Sequence, residues 1–146
     1  MTMRDPSLLL RRSLQGNAWF SGLSGLLFLV AGRPIASFLG IEAPWVIRTL
    51  GLGLLLYALW LLLCAYRPVP DRREVWTAIG LDAAWVIGSA LLLIAGPIPL
   101  TLAGKWAVGI VADLVATFAA LQMYGLFKYE AMFGSFHPAT VKRRCH

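Results

Sequence analysis

Two acids and one arginine stand out in this chain because they lie where charge is expensive. Asp82 and Asp113 fall within long apolar stretches, and Arg48 falls just inside the edge of another. Around them are the few polar residues of those stretches: Asn17, Ser21 and Ser24 in the first, Ser89 beside Asp82, Thr117 beside Asp113. An ionisable side chain in a membrane span costs several kcal/mol if left alone, so each acid must be protonated, paired or hydrated. Two kinds of chemistry fit such a set. One is a cavity that handles a proton or a ligand. The other is a hydrogen-bonded clamp that fixes how the helices pack.

Other chemistries lack their residues. The cysteines, Cys64 and Cys145, form no C-x-x-C pair, which argues against thiol–disulfide exchange. Both histidines, His137 and His146, lie in the C-terminal tail, so no bis-histidine haem can sit among the spans. His137, Cys145 and His146 are too few for a closed metal site, and a solvated tail is the expectation there. There is no phosphate-binding glycine loop, no dinucleotide fingerprint and no H-E-x-x-H. No catalytic residue, metal site or cofactor is expected, and an enzyme is the less favoured reading.

The elements that must position these residues are membrane-length helices. Of 146 residues, 59% are hydrophobic and 14% charged, against roughly 25% charged in ordinary soluble domains. Residues 13–32, 49–66 and 83–104 carry no charge, and residues 106–127 carry only Asp113. Crossing ~30 Å of hydrocarbon takes about 20 apolar residues. The pattern predicts an all-α, four-span antiparallel bundle as one membrane domain over 1–146. The spans fall at about 14–31, 45–66, 75–95 and 104–127, with a cytoplasmic tail at 128–146. Gly32-Arg33-Pro34, Pro44, Pro68-Val69-Pro70 and Gly96-Pro97-Ile98-Pro99 punctuate them. Residues 35–41 read either as an interfacial segment or as span one continued past a kink. Short turns favour packing between consecutive spans.

Ten of the 13 Lys and Arg residues lie at the two termini and the turn after span two. Arg33, Arg48 and Lys105 lie on the other side. Cytoplasmic loops retain basic residues, so both termini are expected in the cytoplasm and the chain in a bacterial inner membrane. The net charge of +6 is explained by this topology, and nucleic acid is excluded as a partner.

Helical phase sorts the polar residues. Asn17, Ser21, Ser24 and Phe28 share one stripe, and Ala78, Asp82, Trp85 and Ser89 another. Trp85 lies away from the interfaces and is expected to wall the region around Asp82. Asp113 shares a face with Gly109, Ala116, Thr117 and Ala120, which suits close and inward packing. Gln122 falls about 180° from Asp113 and should face another helix, a partner or the headgroups. Arg48 can reach toward Asp113 or snorkel outward, and both readings stay open. Ser21 with Gly25, and Gly51 with Gly53, are expected to let helices approach closely within the bundle.

The runs 81–90 (LDAAWVIGSA) and 104–122, beginning Gly104-Lys105-Trp106 and ending at Gln122, resemble small bacterial four-span membrane proteins. In length and topology the chain also resembles the broad DoxX-like group. That resemblance implies a membrane subunit near a quinone or thiol redox enzyme and carries over no catalytic residue. The favoured function is a non-enzymatic subunit, or a small-ligand- or lipid-binding protein with a buried polar site. That site is Asp82, Asp113, Arg48, Asn17, Ser21, Ser24, Trp85, Ser89 and Thr117. The alternatives are a small proton-coupled transporter or channel using Asp82 and Asp113, and a lipid- or quinone-linked membrane enzyme subunit. The partners this leaves are the lipid bilayer, a lipid or quinone, and a homo-oligomer or larger membrane complex.

Overall fold

The computed structural model describes residues 6–68 and 71–133, and for Pro6 and Phe133 the backbone only. The tail residues His137, Cys145 and His146, and the basic residues Arg4, Lys142, Arg143 and Arg144, lie outside the described residues. Five helices and no strands occur among the described residues: α1 (Pro6–Val30), α2 (Gly32–Leu39), α3 (Pro44–Ala65), α4 (Arg72–Ala95) and α5 (Leu102–Phe133). α3, α4 and α5 are each long and apolar enough to cross a membrane. α1 meets that test only together with α2, from which it is bent by 96°.

The bend has a local cause. Pro34 has no N–H to give to the carbonyl four residues back, and its ring clashes with that carbonyl, which belongs to Val30. α1 stops at Val30. Residues 35–41 therefore belong to a short helix turned 96° from α1 and to its cap, a sharp break after span one. Gly40 ends α2 in the left-handed conformation, φ 83°. The Thr101 hydroxyl donates to the Phe38 carbonyl at 2.6 Å and its amide to Leu39 at 3.1 Å, fixing α2 to the start of α5.

Two boundaries differ from expectation. α1 begins at Pro6 rather than near 14, and α5 runs to Phe133 rather than 127. Charge ends a span without ending a helix. Arg11 and Arg12 are good helix formers, as are Lys128, Glu130 and Met132, and neither stretch contains an internal proline.

The main packing pairs are α1 with α3, α4 with α5, and α1 with α5. α1–α3 and α4–α5 pack as expected for consecutive spans, but α3 and α4, joined by a short turn, barely touch. Gly25 and Gly51 explain the tight α1–α3 crossing. A Cβ built on either would lie 2.7 Å from the carbonyl oxygen of the other. Gly53 behaves differently from its neighbour, since a Cβ there meets nothing within 4 Å. It faces open space, not another helix.

The main buried hydrophobic cluster sits at one end. Leu10, Leu14, Leu61, Val75, Ile79 and Leu126 form part of it. It draws together the N-terminal halves of α1 and α4 and the C-terminal halves of α3 and α5. Basic residues tie this end. Arg11 donates to the Pro68 carbonyl at 2.6 Å, Arg67 pairs with Glu74 at 3.1 Å, and Arg72 pairs with Glu130 at 2.8 Å. At the other end the outer parts of α3 and α4 are held apart. Ile35 of α2 and Ile98 and Leu100 of the α4–α5 connection line the space near them.

Candidate functional site

One side chain from each of the four long helices meets at a single carboxylate. Asp82 of α4 is 3% exposed. Its Oδ2 accepts from Asn17 Nδ2 of α1 at 2.6 Å and from Gln122 Nε2 of α5 at 3.2 Å. Its Oδ1 accepts from the Tyr57 hydroxyl of α3 at 2.8 Å. The Tyr57 hydroxyl also lies 3.3 Å from the Ala78 carbonyl. Ser21 donates to the Asn17 side-chain carbonyl at 3.3 Å, which leaves the Asn17 amide aimed at the acid.

Local sequence explains how each helix delivers its residue. α4 starts cleanly because the Asp71 side chain accepts from the Arg73 amide at 2.9 Å, a helix N-cap. Asp82 then falls near mid-helix, with Ala78, Trp85 and Ser89 along the same side. Pro44 at the first turn of α3 and Pro68 beyond its end set that helix's length and so the height of Tyr57.

The bonding pattern is specific. All three partners donate to Asp82, and each is neutral. A carboxylate is an acceptor-only group with about four lone-pair positions, so three donors suit the ionised form and leave one position vacant. Hydrogen bonds to a charged group contribute roughly 1.5–3 kcal/mol each. An acid at the centre of a span costs about 2.5–3.5 kcal/mol on insertion scales. The network is therefore large enough to hold the group in place, but it supplies no counter-charge. No arginine or lysine among the described residues pairs with Asp82. A unit positive charge brought to ~5 Å would gain roughly 3 kcal/mol at an effective dielectric of 20.

The site opens into a cavity of about 360 Å³. Ser21 and Asp82 form its polar floor, and Phe20, Phe28, Tyr57 and Trp85 supply aromatic wall. Gly53 and Leu54 of α3 stand across from Leu81 and Trp85 of α4. A second, apolar cavity of about 550 Å³ shares Leu27, Phe28, Leu50, Trp85 and Val111 with the first and continues toward α2. Both volumes lie in the range of small-ligand sites, roughly 300–1,000 Å³. The Trp85 indole N–H and the Gln122 carbonyl oxygen are buried with no hydrogen-bond partner.

The sequence-predicted residues divide between this site and elsewhere. Asn17, Ser21 and Asp82 join in the network, Ser24 and Trp85 line its cavity, and Ser89 lines the second one. Asp113, Thr117 and Arg48 are exposed. The inward face expected for Asp113 is corrected by the structure. Val111 and Val115 line the cavity, and Asp113, two residues from each, points the opposite way. Thr117 bonds only to the Asp113 backbone carbonyl, at 3.0 Å. Among the described residues Arg48 makes no ion pair with Asp113. Its stem instead lies against Gly32 of α2.

Two members were missed as site residues. Gln122 is fully buried, and its position opposite Asp113 was the available signal. Once Asp113 faces outward, Gln122 must face in. Tyr57 could have been found as the one hydroxyl-bearing residue in the middle of α3. Among the described residues no group of three His, Cys, Asp or Glu side chains could hold a metal.

Compared with protein families, curated proteins and solved structures, the chain matches none.

Proposed function

We propose that the chain is a four-span antiparallel membrane protein of a bacterial inner membrane, with both termini cytoplasmic, that binds a small amphiphile between α3 and α4. The ten-to-three distribution of basic residues supports the orientation. The observation that carries the binding reading is the placement of the Asp82 network at the floor of a largely apolar cavity. A structural clamp alone would need no cavity beside it. α3 and α4 barely touch, so the space between them faces the acyl chains.

A transport path using Asp82 and Asp113 together finds no support, because Asp82 is buried inside the bundle and Asp113 is exposed on its outside. The exposed Asp113 and Thr117 instead support contact with a second copy or a larger membrane complex. A carboxyl left against hydrocarbon is expensive, and Ile110, Leu114 and Leu121 around it are exposed as well.

The test is mass spectrometry of small molecules carried through purification in detergent. Gly53→Leu fills the cavity from a position where a Cβ meets nothing, and leucine is the better helix former. Wild type should retain a hydrophobic molecule, and Gly53→Leu should lose it with its thermal stability kept. Equal retention by both proteins, or by neither, would contradict the reading.

A further inference from the structure

The amphiphile reading leaves its polar head unspecified, and the chemistry of the cavity narrows it. Resting on that reading, we propose that the preferred occupant is a cationic amphiphile, an organic ammonium with an apolar body, whose positive head sits beside Asp82.

Three observations converge on a cation. The first is the uncompensated carboxylate. Asn17, Tyr57 and Gln122 all donate to Asp82, and none brings a charge. The ion pairs at the basic end, Arg67–Glu74 and Arg72–Glu130, involve other acids. The second is the wall. Phe20, Phe28, Tyr57 and Trp85 surround the cavity, and aromatic faces attract a desolvated cation, tryptophan most strongly. The third is the vacancy on the acid. With about four lone-pair positions and three donors, an ammonium N–H has a place to donate.

The same features disfavour the other head groups. An anionic head, a fatty acid or a lipid phosphate, would enter against the carboxylate with no basic side chain to receive it. A neutral hydroxyl could accept from the unpartnered Trp85 N–H, but it leaves the Asp82 charge unbalanced. The body of the ligand has its own space. The cavity nearest Asp82 shares a wall with the larger apolar one, so a chain can run from the acid toward α2.

The test compares three probes with the same twelve-carbon chain: dodecylammonium, dodecanol and dodecanoate. Binding is followed by tryptophan fluorescence of the full chain in phosphatidylcholine nanodiscs, with empty nanodiscs subtracted. Dodecylammonium should bind at least about tenfold more tightly than dodecanol, and dodecanoate most weakly. The preference should vanish in Asp82→Asn, while Gly53→Leu should weaken all three probes. The comparison among probes on wild type stands even if Asp82→Asn fails to fold. Dodecanol or dodecanoate binding as tightly as the cation, with Gly53→Leu still blocking, overturns the cation and leaves the cleft. No saturable binding by any probe, or binding indifferent to Gly53→Leu, overturns both.

Discussion

The Tyr57 hydroxyl and the Asp82 carboxylate are joined at 2.8 Å across two helices that otherwise hardly meet. α3 and α4 are tied at the turn and at this bond, and beyond it they part. The bond thus marks where packed protein ends and the cleft begins. The residues that close the bundle on one side are the floor of the cavity on the other.

Tyr57→Phe keeps the ring and removes the donor. It should destabilise the protein by about 1–3 kcal/mol, since the acid loses one of three donors. Thermal unfolding in detergent reads the loss. An unchanged unfolding temperature would show that the bond contributes little.

The two glycines of α3 should respond oppositely. Gly51→Ala places a Cβ against the Gly25 carbonyl and should cost roughly 1–3 kcal/mol through overpacking. Gly53→Ala should be neutral or stabilising by up to about 1 kcal/mol through helix propensity. Equal effects would mean that the α1–α3 crossing is looser than described.

Asp113→Leu replaces an exposed acid on the outer face of α5. The folded bundle should keep its thermal stability and its amphiphile binding, because Asp113 is outside the Asp82 network. Its oligomeric state should fall to monomer by size-exclusion with light scattering. A wild type that is already monomeric would remove the proposed contact at this face.

Orientation is open to labelling. A cysteine at Lys105 should react with an impermeant maleimide added to intact cells, and one at Arg73 only after lysis. With the tail Cys145 replaced by serine in every protein, Cys64, which is buried, should stay unlabelled in both cases. The reverse pattern would invert the topology.

Much of this molecule follows from sequence for physical reasons. Hydrophobic length and the cost of charge in hydrocarbon define the long apolar helices. Pro34 ends α1, and Gly96 before Pro97 ends α4, because their effects on the backbone are local. The 3.6-residue repeat likewise puts Asp82 with Trp85 and Ser89 on one side of α4. What periodicity cannot say is which side of a helix finds protein. α5 carries a polar residue on each face, Asp113 and Gln122, and small residues beside Asp113 made that face look like the inner one. Only tertiary packing chose. α5 lies against α4 and α1, with Gln122 turned to Asp82, so Asp113 was left outside. The cleft is tertiary in the same way. Gly25 and Gly51 draw α1 and α3 together, while α2, Ile98 and Leu100 line the space between the far parts of α3 and α4. Sequence determined that a few charges would fall within long apolar helices. The three-dimensional order of its helices decided that Asp82, and not Asp113, would be the one facing a cavity.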